Sequence, residues 1–137
     1  MVKPIVKDVL FLMQPSQPAA IADGQTARDL ADTLMAHRGH CVGLAANMIG
    51  VRKNIIVFLA AEMPFVMLNP RIVSHSAESY EAEEGCLSLN GTRTATRYQR
   101  IEVVYDNMMM KPCKGTYEGF TAQIIQHEID HCHGILI

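Results

Sequence analysis

The chain has 137 residues, of which 49% are hydrophobic and 19% are charged, and its formal net charge is -2. A chain of this length is typical of one domain, and its composition excludes a disordered polypeptide, which combines low hydrophobicity with high charge. No Lys/Arg-rich run is present, which argues against direct contact with nucleic acid or an anionic membrane surface. We therefore expect a single globular domain over residues 1–137.

Membrane and secretory segments are not indicated by the sequence. The longest apolar runs, residues 9–13 and 55–61, are much shorter than the about 18 to 20 residues that cross a bilayer. Neither run has the flanking features of a secretory leader. The cysteines are irregularly spaced, at Cys41, Cys86, Cys113 and Cys132. This spacing does not favour a disulfide framework, so we expect a cytoplasmic protein without a membrane span and with cysteine available as a metal ligand.

Two helices are predicted, one towards each end of the chain. Residues 26–37 repeat apolar side chains at three- and four-residue steps, and Gly39 follows them as a stop signal. Residues 120–131 repeat apolar side chains at similar spacing between Gly119 and Gly134. The first helix is amphipathic, whereas the second is apolar enough to be expected in the interior.

Strands are predicted between the two helices. Runs of β-branched and aromatic residues occur at 55–59, 65–68, 72–74 and 101–105. The turn signals Met63-Pro64 and Asn69-Pro70 are expected to end the first two strands, and Met108-Met109-Met110 is expected in a loop or at a strand end. Because the strands are grouped rather than alternating with helices, the sequence predicts an α+β fold.

The strongest chemical signal is the run His127-Glu128-Ile129-Asp130-His131. Residues four apart lie on one face of a helix, so His127 and His131 can bind the same metal ion. Glu128, one position along, can reach a water on that metal as a general base. An apolar helix would bury these polar groups at a cost if they had no such role, which disfavours a merely solvated helix.

A catalytic metal of this kind needs a third protein ligand and one open position. No carboxylate follows His131, and Ile137 occupies the position of the last His in the longer motif H-E-x-x-H-x-x-G-x-x-H. Upstream, Cys86 is favoured because Gly85 permits a close approach of the backbone. The alternatives that stay open are His37, His40, His75 and His133. A thiolate with two imidazoles suits Fe(II), Zn(II), Co(II) or Ni(II).

Three motifs together resemble those of the peptide deformylases. They are Gly43-Leu44-Ala45-Ala46, Glu84-Gly85-Cys86-Leu87-Ser88 and Gln126-His127-Glu128-Ile129-Asp130-His131. The resemblance extends from the first predicted helix to Gly134. It implies antiparallel or mixed sheets around a central carboxy-terminal helix. It also implies that Cys86, His127 and His131 bind one divalent metal, most often Fe(II).

The resemblance further implies a reaction and its residues. Glu128 takes a proton from the attacking water, the formyl carbon of an N-formylmethionyl peptide is attacked, and formate is released. The backbone N–H of Leu87 stabilises the oxyanion. The backbone around Gly43 binds the peptide as an added strand, beside Gly85, and Leu44 contributes to the pocket for the methionine side chain. The expected partner is a nascent formylated chain, and association with the ribosome is left open.

Two positions depart from the family pattern G-x-G-L-A-A-x-Q. Met48 replaces the Gln whose amide donates the second oxyanion hydrogen bond, and a thioether has no donor. Cys41 replaces the first Gly at the rim of the cleft. Loss of an oxyanion donor costs about 10²- to 10³-fold in rate, so a large gain in deformylation on Met48→Gln would support a weakened oxyanion hole, whereas no change would count against it. The alternatives are a peptide-binding or regulatory relative with weak or no deformylase activity, and a hydrolase of another N-acyl amide.

Overall fold

Three helices and seven strands make up the computed structural model, which describes residues 1–137. The helices are α1 (Val9–Leu12), α2 (Gly24–Ala36) and α3 (Gly119–Cys132). The strands are β1 (Gly43–Ala45), β2 (Ile55–Ala60), β3 (Met63–His75), β4 (Ser79–Cys86), β5 (Leu89–Tyr98), β6 (Arg100–Asp106) and β7 (Pro112–Glu118). No helix has both the length and the apolar character needed to cross a bilayer.

The strands form two sheets. A five-stranded sheet has the order β1-β2-β3-β6-β7, and β4 with β5 forms a separate two-stranded hairpin. Every pairing between these strands is antiparallel. The predicted α+β class is therefore confirmed, with antiparallel rather than mixed sheets. In this arrangement β1 is an edge strand, which leaves one side of its backbone free of a neighbouring strand.

The hydrophobic core lies between the five-stranded sheet and the helices α2 and α3. Leu30 and Leu34 of α2 and Ile125 of α3 are fully buried, as is Ile56 of β2. Burying a side chain of this size contributes roughly 1.5 to 3 kcal/mol, so the apolar periodicity of both helices is explained by packing. The helix predictions are confirmed, with α2 beginning two residues and α3 one residue before the predicted start.

The predicted turns between the strands were wrong. The chain turns at Ala61 and Glu62, both with positive φ, so Met63 already belongs to β3. A two-residue hairpin turn with two positive φ values normally uses Asn or Gly, and neither is present to signal it. Asn69 also has a positive φ, but the strand continues through a bulge to His75. The strands β4, β5 and β7 were not predicted.

Candidate metal centre

Two elements bring the candidate ligands together. Helix α3 carries His127 and His131 on its buried face, and Cys86 is the last residue of β4, where the turn Leu87-Ser88 leads into β5. The ligand atoms of Cys86, His127 and His131 all lie within 4.8 Å of one another. The other candidates, His37, His40, His75 and His133, do not join this group.

The hydrogen bonds of the two histidines suit a metal ligand pair. His127 Nδ1 donates to Glu84 Oε1 at 2.8 Å, which leaves Nε2 with a lone pair directed at the other ligands. The Nε2 atoms of His127 and His131 are 3.0 Å apart, so both cannot carry a proton. Burial opposes a charge on either ring, but hydrogen bonds that His127 donates to Cys86 and Glu84 raise its pKa. Burial and the charge of His127 lower the pKa of His131.

This donor set fits a divalent metal. Two imidazole nitrogens and one thiolate are the ligands that borderline cations such as Fe(II) and Zn(II) accept. A cation bound by both Nε2 atoms would satisfy the two lone pairs that otherwise compete for one proton. The carboxylate of Glu84 behind His127 is the second partner that histidine ligands commonly have, because it fixes the ring orientation and raises the basicity of the ligand.

Glu128 lies beside the candidate ligands, and one of its carboxyl oxygens has no hydrogen-bond partner. The residue is 4% exposed, and its Oε1 has no hydrogen-bond partner. Burial raises the pKa of Glu128 to about 7. A carboxyl group whose pKa is close to physiological pH can both accept a proton and return it, as a general base requires.

A buried ion-pair network supports the centre from behind. The guanidinium of Arg97 donates two hydrogen bonds to Glu84 Oε1 and one, from Nε, to Glu84 Oε2, and its Nη1 donates to Asp130 at 2.7 Å. Burial alone would raise the pKa of Glu84, but hydrogen bonds from His127 and Arg97 outweigh it and lower the pKa to about 2. Glu84 is therefore a carboxylate that connects β4, β5 and α3. Sequence reasoning missed this role of Arg97, because nothing in the motif spacing pairs it with Glu84.

The centre opens into a cleft of about 740 Å³ between α3, the β4–β5 hairpin and the segment before β1. Gly43, Gly85 and Leu87 line it, together with Cys86, His127 and Glu128. Gly43 packs directly on α3, since an ideal Cβ there would lie 2.7 Å from Ile124 Cγ2. The free edge of β1 thus adjoins the cleft where the sequence analysis expected a peptide to bind.

Two predicted substrate-binding side chains are buried. Leu44 is fully buried and Met48 is 1% exposed, and both belong to the hydrophobic core, so neither forms part of the exposed wall of the cleft. The neighbouring residue Asn47 does not replace the missing oxyanion donor, because its Nδ2 donates to the backbone carbonyl of His131 at 2.9 Å. Of residues 41–48, which align with the pattern G-x-G-L-A-A-x-Q, the cleft wall contains Cys41, Val42 and Gly43.

A buried helix with two histidines four residues apart and an adjacent glutamate is typical of metal-dependent hydrolases. Residues 2–137 match the family model described as polypeptide deformylase. Over 137 residues the chain is 52% identical to a peptide deformylase of Clostridium beijerinckii, covering 100% of both chains. It is 35% identical to a peptide deformylase of a Synechocystis species, covering 91% of this chain and 71% of that protein.

Solved structures give the same result. A class I type b peptide deformylase from Acinetobacter baumannii superposes with a TM-score of 0.89 at 30% identity, covering 99% of this chain and 97% of that chain. A peptide deformylase from Thermotoga maritima has a TM-score of 0.89 at 28% identity, with coverages of 99% and 95%. The chain belongs to the polypeptide deformylase family, as the three sequence motifs predicted.

Proposed function

We propose that this protein is a metal-dependent peptide deformylase that hydrolyses N-formylmethionyl peptides to formate and a free amino terminus. The observation that carries the proposal is the convergence of Cys86, His127 and His131 within 4.8 Å, next to the buried carboxyl group of Glu128. Family membership supports it, and the Acinetobacter baumannii relative has been solved with Met-Ala-Ser bound. We further propose that residues 1–137 form one catalytic domain, which a single cluster of 24 buried residues supports.

We assign Cys86, His127 and His131 as the ligands of one divalent metal, with Fe(II) as the ion used in the cell. The metal, once bound, supplies Lewis acidity towards the attacking water and the formyl carbonyl. The thiolate makes an Fe(II) site sensitive to oxygen, because an oxidised sulfur no longer binds normally. Zn(II), Ni(II) and Co(II) suit the same donors and are the ions to compare.

Glu128 is assigned as the group that moves the proton. Its carboxylate accepts a proton from the attacking water and returns it to the amine nitrogen when the formamide C–N bond breaks. A pKa of about 7 allows both transfers near neutrality. The backbone N–H of Leu87, at the start of the turn after Cys86, is assigned as the donor to the developing oxyanion.

The substrate backbone is assigned to the free edge of β1. An extended peptide can add to an unpaired strand through main-chain hydrogen bonds, so the contribution of Gly43 and Leu44 is made by their backbone and not by a side chain. Gly85 lines the opposite wall, where its backbone lies close to β5, since an added Cβ would be 3.4 Å from the carbonyl oxygen of Gly91. Because the proposed substrate is a nascent formylated chain, we place the protein in the cytoplasm and propose that it works near the ribosome.

A second candidate is a relative that binds peptides with little or no turnover. The placement of Met48 favours it, because this side chain lies in the core and offers no second donor to the oxyanion. The two candidates differ in one measurable product, formate.

The test is formate release from formyl-Met-Ala-Ser by protein purified without oxygen and loaded with Fe(II). Glu128→Ala is the matched control, and its metal content is measured alongside. Formate release that disappears in Glu128→Ala is the expected result. Metal-loaded protein that binds Met-Ala-Ser but releases no formate would support the second candidate instead.

A further inference from the structure

A glutamine lies between two apolar residues, Phe120 and Ile124, in the part of the cleft wall that α3 forms. The face of α3 towards the cleft presents, in chain order, Phe120, Gln123, Ile124, His127 and Glu128. Leu87 and Leu89 of the β4–β5 hairpin also line the cleft. Away from the metal centre, Gln123 is therefore the only residue of α3 that offers this wall a hydrogen-bonding side chain.

The orientation of Gln123 is fixed by a tyrosine outside the cleft. The hydroxyl of Tyr80 on β4 donates to Gln123 Oε1 at 3.0 Å. A glutamine amide has one acceptor oxygen and two N–H donors, and here the oxygen is engaged by Tyr80 while Nε2 makes no hydrogen bond. Gln123 lines the cleft, so N–H groups that Tyr80 leaves free are available to a ligand there.

A peptide added to β1 would direct a side chain, and not its backbone, towards Gln123. In a sheet the peptide groups lie in the plane of the strands, and side chains project alternately to the two faces. Helix α3 packs against the face of β1, as the contact between Gly43 and Ile124 shows. Every second side chain of an added strand would therefore point to α3.

The distances along the cleft match the first side chain of the proposed substrate. Gln123 precedes His127 by four residues, which is about 6 Å along the helix axis. In an extended N-formylmethionine the formyl carbon and the sulfur are separated by five bonds, or about 6 Å. With the formyl group next to His127 and Glu128, a side chain that runs along α3 towards its amino-terminal end brings the sulfur level with Gln123.

We propose that Gln123, oriented by Tyr80, is a specificity-determining residue that donates an N–H hydrogen bond to the sulfur of the substrate's first methionine. This inference rests on the proposed deformylase function. A thioether is a weak acceptor, whereas the isosteric hydrocarbon norleucine has none and leaves the donor unpaired when it fills the cleft. Gln123 therefore favours methionine over a hydrocarbon side chain of equal length, and Tyr80 is a positioning residue.

The test compares three peptides on the Fe(II)-loaded enzyme, which carry formyl-Met, formyl-norleucine or formyl-methionine sulfoxide before Ala-Ser. Replacement Gln123→Leu removes the donor at similar volume. We expect the ratio of kcat/KM for formyl-Met over formyl-norleucine to fall about threefold. The ratio for the sulfoxide over formyl-norleucine should fall about tenfold, because the sulfoxide oxygen is a full acceptor. Calorimetric binding of Met-Ala-Ser and norleucine-Ala-Ser should show the same loss of preference without turnover.

Two further variants separate recognition from structural damage. Gln99→Leu makes the same change at an exposed glutamine outside the cleft and should keep the wild-type ratios. Tyr80→Phe should lower the ratios only while Gln123 is present, so Tyr80→Phe combined with Gln123→Leu should equal Gln123→Leu alone. Unchanged ratios in Gln123→Leu, with formate still released from formyl-Met-Ala-Ser, would overturn this inference and leave the deformylase function intact. Wild-type protein that releases no formate from any peptide would overturn both.

Discussion

Gly43 and Glu128 are packed so closely that any side chain at position 43 would force Glu128 and Ile124 to shift. An ideal Cβ would lie 2.8 Å from Glu128 Oε2 and 2.7 Å from Ile124 Cγ2, and real Cβ atoms are essentially never within 3.0 Å of such neighbours. The absence of a side chain is thus what lets the edge strand β1 adjoin the proposed catalytic carboxylate.

Gly43→Ala is therefore expected to displace Glu128 from the floor of the cleft. We expect formate release to fall at least about tenfold and the free energy of unfolding to fall by about 1 to 3 kcal/mol, the usual cost of overpacking. Gly24→Ala, at the start of α2 and outside the cleft, is the control, since an added Cβ there makes only an ordinary contact, 3.5 Å from Arg28 Nη1. Steady-state kinetics and urea denaturation of both variants check this. Wild-type kcat in Gly43→Ala would contradict it.

Glu84→Gln tests the carboxylate behind His127. The change removes the negative charge that accepts from His127 Nδ1 and from Arg97, so the histidine becomes a weaker and less well oriented ligand. We expect metal affinity to fall roughly 10- to 100-fold, measured by competition with a chelator. Glu78→Gln makes the same charge change at an exposed position and should not alter the affinity. Equal affinities in the two variants would count against a supporting role for Glu84.

Much of the fold followed from apolar patterns. Both long helices were predicted because their buried faces repeat at helical spacing, and the strands beginning at Ile55 and Arg100 because they contain runs of β-branched and aromatic residues. The hairpin β4–β5 was missed because its side chains are mostly exposed or half-buried, so polar residues such as Thr94 and Thr96 dominate its sequence. Such strands are specified by pairing with each other more than by burial.

The candidate ligands could be inferred from sequence for a different reason. The spacing of His127 and His131 is local, so helix geometry alone places them together. The pairing of Arg97 with Glu84 and Asp130 is not local, because it depends on the register of β4 with β5 and on how α3 packs against them. No periodicity in the sequence contains that information.

Tyr117 is expected to make the stability of the protein fall at high pH. Burial, then the charge and hydrogen bond of Tyr105, raise the pKa of Tyr117 from 10.0 to about 12. Because the pKa of Tyr117 is higher in the folded state, the folded protein keeps the phenol proton above pH 10, where the unfolded chain releases it. The contribution of Tyr117 to the free energy of unfolding is therefore complete below pH 10. It is lost as the pH rises towards 12.

Urea denaturation of wild type and Tyr117→Phe below and above pH 10 measures this effect. The free energy of unfolding should decline with pH less steeply in Tyr117→Phe, which has no phenol to ionise at that position. Absorbance titration should show a late-ionising phenol that is missing in Tyr117→Phe. Parallel pH dependences in the two proteins would show that Tyr117 is not responsible.

Met48→Gln is expected to weaken the protein and not to repair the oxyanion site. The side chain of Met48 is 1% exposed within the core, so the substitution buries an amide whose hydrogen bonds to water are lost, at about 1 to 3 kcal/mol. Since position 48 does not line the cleft, we expect formate release to change by less than about tenfold. Met48→Leu, a similar apolar volume, should cost less than about 1.5 kcal/mol and serves as the control. A gain of about 10²-fold or more in Met48→Gln would mean that the loop after β1 rearranges and that a missing second donor limits the enzyme.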